Sequence, residues 1–235
     1  MNNIELIAFD ADDTLWINMS LYFDAINRIK EILGSYVGLD KFQENFYKIE
    51  SENIPALGYG TKGFIVTMVE VAIKSSSQMI QANEIQDIIS IGKNLMNSPI
   101  ELLDGVEKVV SKLASKSGLM LLTKGDHFEQ QGKIDRSGFS KYFPYVEIVI
   151  EKDENSYSKI LENQNVAPEN FLMIGNSLKS DIMPVVNIGG NAVYIPHKDT
   201  WHREEIGEDS IEKRYYQLED IRELPDFLIK KFDIK

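Results

Sequence analysis

The feature that most limits the fold is an alternation that begins at residue 100. Apolar runs, "GLMLLT" (118–123), "YVEIVI" (145–150), "NFLMIG" (170–175) and "NAVYI" (191–195), are separated by stretches with helical spacing. In 105–115, Val106, Val109, Val110 and Leu113 share one helical face. Further helices are expected at 128–137, 156–164 and 178–188, and a last one in "LPDFLIKKF". Strands that alternate with helices fold as a parallel sheet with helices on both faces. Near-continuous apolar strands such as "LMLLT" suit burial on both sides. The chain is therefore of the α/β class, a doubly wound parallel sheet, and "LIAF" (6–9) supplies one more strand.

Residues 18–97 break this rhythm. Tyr22, Ile26, Ile29 and Leu33 form one helical stripe, which Gly34 can end. Second, third and fourth helices are expected over 40–52 (Phe42, Phe46, Ile49), 63–74 and 84–95 (Ile85, Ile88, Ile89), and Pro99 closes the block. A helical block inside an alternating chain reads as an inserted domain. The expected division is a core of 1–16 and 100–235 and a helical insertion of 17–99, which suits a length of 235 residues.

A net charge of −12 argues against nucleic acid or an anionic membrane as partner. It leaves room for a small anionic substrate, because local charges and a metal override the global sign. The absence of cysteine excludes disulfides, thiolate metal sites and cysteine nucleophiles, and is compatible with a cytoplasmic location. The start "MNNIELIAFD" lacks a cationic stretch and is not expected to be a signal peptide. No apolar run approaches the roughly 20 residues that span a bilayer. Oligomeric state leaves no mark on the sequence.

Ligands of open parallel sheets bind outside the carboxyl ends of the strands. The first strand delivers Asp10, Asp12 and Thr14 there, within "DADDT". The later strands deliver Thr123 and Lys124, then Glu151 and Lys152, then Asn176, Ser177 and Asp181. Two carboxylates about 5 Å apart repel by roughly 3 kcal/mol at an effective dielectric near 20. A cation among them, or a proton carried for chemistry, makes such a cluster tolerable. A polar loop with its charges splayed into water is the bland alternative. Together the rim residues describe a hard-cation pocket with a hydroxyl and an ammonium suited to phosphate.

These residues resemble the motifs of the haloacid dehalogenase-like (HAD) superfamily, over essentially the whole chain. "DADDT" fits its DxDxT signature, Thr123 its strand-ending Ser or Thr, Lys152 its lysine, and "GNSLKSD" (175–181) its acidic fourth motif. Asn176 stands where the usual Gly-Asp start has aspartate. The resemblance implies a Rossmann-like core and makes residues 17–99 a helical cap domain of the C1 type. It implies that Asp10 is the nucleophile and Asp12 the general acid and base. Mg²⁺ would be held by Asp10, the backbone carbonyl of Asp12, and Asp181. Thr123 and Lys152 would bind phosphate, with Lys124 and Lys179 as competitors for that role, and Asn176 and Ser177 would support the metal ligands. Thr14 would brace the turn and Asp13 would cap it or be solvated. The implied activity is a Mg²⁺-dependent phosphatase acting on a small phosphorylated metabolite through an aspartyl-phosphate. A sugar phosphomutase or a non-catalytic phospho-ligand-binding protein are the alternatives. The aspartate at position 12 disfavours dehalogenation.

"GYGTKG" (58–63) matches GxGxxG but follows no strand, so an inter-helix turn is expected there. Tyr59 and Lys62 within it are candidate cap contacts to substrate. "HKDTWH" (197–202) holds two of three histidines and reads as a polar loop rather than a zinc site.

Overall fold

A computed structural model of the chain describes residues 4–115, 118–204, 206 and 214–234. Its centre is a sheet of six parallel strands: β1 Leu6–Phe9, β2 Leu119–Lys124, β3 Tyr145–Val149, β4 Phe171–Gly175, β5 Asn191–Tyr194 and β6 Tyr216–Gln217. Their order is β3-β2-β1-β4-β5-β6. The chain builds outward from β1 to one side through β2 and β3, then crosses to the other side with β4. That reversal puts the carboxyl ends of β1 and β4 side by side, where such sheets bind ligands. In register, Phe9 pairs with Ile174 on one side and Leu121 on the other.

The two-residue β6 has no counterpart among the expected strands. It pairs with β5 through Val193 and Tyr194, and its brevity leaves no apolar run to read. Helices α5 Val106–Ala114 and α9 Leu224–Phe232 contribute to the core on one face. On the other face lie α7 Glu154–Gln164 and α8 Met183–Asn187. Helix α6 is His127–Ser137. The helix expected over 178–188 is interrupted: a single π-helical turn, Leu178–Ile182, precedes α8. Such turns displace side chains from the regular spiral and recur at functional sites.

Residues 20–99 with 125–129 form one compact unit, and 1–19, 100–124 and 130–235 form the other. The helical unit consists of α1 Met19–Leu33, α2 Leu39–Leu57, α3 Thr61–Ser75 and α4 Ala82–Met96, apart from the first residue of α1. Ile29, Leu33, Phe42, Ile49, Met68, Val71, Ala72 and Ile88 are among the residues of its own apolar core. Helix α2 runs beyond the expected end, through Pro55, and closes where the Gly58 N–H donates to Ile54 O at 2.9 Å. Gly58 and Gly60, with φ of +72° and +110°, serve the turn between α2 and α3, whereas Thr61, Lys62 and Gly63 of "GYGTKG" already belong to α3.

Segment 125–129 joins this unit through specific contacts. Buried Glu129 accepts hydrogen bonds from the Thr61 N–H at 2.7 Å and the Thr61 hydroxyl at 2.5 Å. Its charge thus meets the positive N-terminal end of α3. Where the chain leaves and re-enters the sheet unit, the Ile17 N–H donates to Glu101 O and the Leu103 N–H to Leu15 O. Among the described residues, no helix is long and apolar enough to cross a membrane.

Candidate active site

Asp10 follows β1 directly, and its N–H still donates to Ile174 O at 2.9 Å. The chain then turns sharply, with the Leu15 N–H donating to Ala11 O at 2.8 Å and the Asp13 N–H to Trp16 O at 2.7 Å. This turn brings Asp10 and Asp12 within electrostatic reach of each other. Asp13 sits at φ +60° and turns away. Its buried carboxylate accepts from the N–H groups of Asn18 and Met19 and caps the chain as it enters α1. The Thr14 hydroxyl donates to Asn176 Oδ1 at 3.1 Å, bracing the turn against the end of β4.

Lys152 links the strand ends. Its Nζ donates to Asp10 Oδ1 at 2.5 Å and to Asp181 Oδ1 at 2.7 Å, and all three residues are buried. Asp181 Oδ2 accepts from the Ser177 N–H at 2.9 Å. Gly175 makes room for it: a Cβ there would stand 2.2 Å from Asp181 Oδ2. Burial pushes the Asp10 carboxyl up to about 7; Lys152 opposes this, and the charges of Asp181 and Asp12 add to it. Burial works against the Lys152 ammonium, but Asp10 and Asp181 outweigh it and hold the group protonated.

Two buried carboxylates against one ammonium leave surplus negative charge in a place of low dielectric, which is costly unless balanced. The donors are hard oxygens, the set that Mg²⁺ prefers. Among the described residues there is no cage of three or more Asp, Glu, His or Cys. Mg²⁺ does not need one, since it is commonly held by one or two carboxylates with water and phosphate oxygens. The residues present therefore fit Mg²⁺.

Asp12 is held differently. Its Oδ1 accepts from Trp16 Nε1 at 2.8 Å, and its Oδ2 from Lys133 Nζ at 2.9 Å and Gln130 Nε2 at 3.1 Å. Gln130 Nε2 also donates to the buried Thr123 hydroxyl at 2.6 Å. Trp16, Gln130 and Lys133 thus touch the candidate residues without any motif marking them. The only sequence hint is that Gln130 and Lys133, three apart, share a face of a polar helix.

The competing lysines are otherwise engaged. Lys124 Nζ donates to Glu151, Ser180 and Glu204, and exposed Lys179 donates to Arg203 O. Burial pushes the Glu204 carboxyl up, but Lys124, Ser177 and Ser180 outweigh it and hold it below the usual range. Tyr59 and Lys62 lie in the helical unit, where Lys62 Nζ pairs with Asp126 at 2.9 Å and sits over the Phe128 ring. His197 Nδ1 is 3.7 Å from Asp13 Oδ1.

The model of the haloacid dehalogenase-like hydrolases matches residues 4–189, most of the chain. This chain belongs to that family. The HAD-like hydrolase is similar to a solved haloacid dehalogenase-like family hydrolase from Xanthomonas campestris. The two are 36% identical with a TM-score of 0.87, over 97% of this chain and 91% of that one. It is also 27% identical to the mouse N-acylneuraminate-9-phosphatase over 139 residues, 57% of this chain and 54% of the relative. The HAD-like chain thus spans about half the length of the curated relative it matches. The L-2-haloacid dehalogenase of Xanthobacter autotrophicus shares the fold at 16% identity, with a TM-score of 0.64 over 97% and 99% of the two chains. Phosphatase and dehalogenase chemistry thus occur on one architecture, and the site has to distinguish them.

Proposed function

We propose that this HAD-like hydrolase is a Mg²⁺-dependent phosphatase that cleaves a phosphate monoester of a small metabolite through an aspartyl-phosphate. The observation that carries this reading is the arrangement around Asp10. It is a buried carboxylate paired with Lys152, whose ammonium also bonds Asp181, with a second carboxylate, Asp12, two residues on. A dehalogenase has no use for an acid at that second position, whereas an alkoxide leaving group needs one.

An Asp10 carboxylate oxygen attacks phosphorus, and the bond from phosphorus to the ester oxygen breaks. Asp12 gives its proton to that departing oxygen, so the alcohol leaves neutral. The resulting Asp12 carboxylate takes a proton from water as the water attacks the aspartyl-phosphate. The phosphorus–Asp10 bond breaks, inorganic phosphate leaves, and both aspartates return to their starting state apart from proton exchange with solvent. Asp10, the Asp12 carbonyl and Asp181 hold Mg²⁺, which when bound balances phosphoryl charge and the surplus charge of the site. Lys152 neutralises the phosphate and orients Asp10, and the Thr123 hydroxyl binds a phosphate oxygen. Trp16, Gln130 and Lys133 keep Asp12 facing the site.

The helical unit acts as the cap, with Tyr59 and Lys62 as its candidate substrate contacts. Similarity to a phosphatase supports phosphate ester chemistry. A net charge of −12 and the absence of cysteine suit a cytoplasmic enzyme that handles a metabolite rather than nucleic acid.

Asp10→Asn tests the nucleophile. Turnover of an aryl phosphate should fall by at least about a thousandfold in a folded protein. An undiminished rate would end this assignment. EDTA should stop wild-type turnover and Mg²⁺ restore it. With a sugar phosphate as substrate, release of inorganic phosphate marks a phosphatase, and isomerised ester without release marks a mutase.

A further inference from the structure

Two residues after HKDTWH stands a residue that the mechanism above does not use. Glu204 lies beyond β5, and its side chain is only 13% exposed. Its Oε2 accepts from the hydroxyls of Ser177 at 2.5 Å and Ser180 at 2.6 Å, and its Oε1 accepts from Lys124 Nζ at 2.6 Å. All three donors sit on segments that carry the site. Lys124 follows Thr123, Ser177 caps the π-helical turn that presents Asp181, and Ser180 lies within that turn. Within that turn the Ser180 N–H donates to Ser177 Oγ at 3.0 Å, and the Ser177 N–H donates to Asp181 Oδ2.

Resting on the reading of Asp181 as a Mg²⁺ ligand, we propose that Glu204 is a positioning residue for the cation site. It clamps Ser177 and Ser180, fixes the amide that aims Asp181, and holds the Lys124 ammonium in a separate pair. The rival role is that of a loop anchor. Anchoring alone does not need this carboxylate, because the neighbouring Arg203 O already accepts from Lys179 Nζ at 2.8 Å. A largely buried carboxylate is a costly tether unless its partners need the charge. Asp181 stands on a single π-helical turn rather than on a regular helix. The supports of a metal ligand set how well it binds, and their loss weakens affinity by about 10- to 100-fold.

The test is calorimetric titration of the full chain with Mg²⁺ alone, with melting temperature recorded for every variant. Glu204→Gln and Glu204→Ala should each weaken Mg²⁺ binding by about tenfold or more. Ser177→Ala, which removes the hydroxyl by which Glu204 holds the residue whose N–H bonds Asp181, should weaken it too. The double variant Ser177→Ala/Glu204→Gln should lose less than the sum of the two. For Glu204→Gln, saturating Mg²⁺ should restore most of kcat on an aryl phosphate. Folded Glu204 variants with wild-type Mg²⁺ affinity would overturn the proposal and leave the site reading standing. So would variants that lose only thermal stability, or that do not fold at all, because Glu204 would then be structural. Asp181→Asn is the control for the underlying reading. If it binds Mg²⁺ as wild type does, or if wild type binds none, the cation site is wrong and the role of Glu204 falls with it.

Discussion

The ion pairs at the strand ends and those between exposed side chains of the helical unit are held in opposite ways. At the strand ends, Lys152, Asp10 and Asp181 are all buried, and the Lys152 ammonium bonds both carboxylates. In the helical unit the pairs Lys41–Glu44, Lys62–Asp126 and Lys74–Glu52 stand in solvent, with every side chain at least 31% exposed. The apolar residues of the two units differ in the same sense. Leu119, Met120, Leu121 and Leu122 of β2 are wholly buried on both faces of the sheet. The helical unit leaves Leu39 of α2 and Met79, between α3 and α4, largely exposed. Burying charge costs several kcal/mol, and electrostatic stabilisation of a reacting group is strongest where water is excluded. The contrast marks the sheet unit as the place for chemistry.

Four substitutions can break or sharpen that contrast. The largest effect belongs to Lys152→Met, which leaves two buried carboxylates without their ammonium. It should cost about 3–5 kcal/mol in urea unfolding without added Mg²⁺; a loss below about 1 kcal/mol would mean that these charges behave like surface ones. Next comes Leu121→Ala, which opens a cavity in the centre of the sheet and should cost about 2–5 kcal/mol. Its counterpart Leu39→Ala should stay within about 0.5 kcal/mol, and equal losses would erase the distinction between the cores. Apart from the near-neutral control Leu39→Ala, the smallest effect is expected for Lys62→Ala. Its exposed pair with Asp126 should be worth less than about 1 kcal/mol and fade with added salt. A salt-resistant loss of several kcal/mol would show an ion pair held as firmly as those at the strand ends.

The parts of the fold that were legible rest on neighbours in sequence. Near-continuous apolar runs foretold five of the strands, and helical stripes such as Phe42, Phe46 and Ile49 foretold the buried faces of the helical unit. Boundaries were less legible. Helix α2 passes through Pro55, and the helix expected over 178–188 is broken by a π-helical turn. Both depend on what the surroundings offer a backbone that local pattern alone would end or continue. Segment 125–129 reads as part of the core until Glu129 is seen to bind Thr61, 68 residues away.

By itself the sequence determined that this is a parallel α/β chain and that Asp10, Thr123, Lys152 and Asp181 end or follow separate strands. Once strands run parallel, their carboxyl ends share one rim, so position along the chain translates directly into position in space. Only the tertiary structure decided who holds whom: Lys133 and Gln130 on Asp12, Glu204 on Ser177 and Ser180, Asn176 on Thr14. Those partners are joined across 24 to 162 residues. Whether two such polar groups meet is set by the packing of whole elements, which no local spacing encodes.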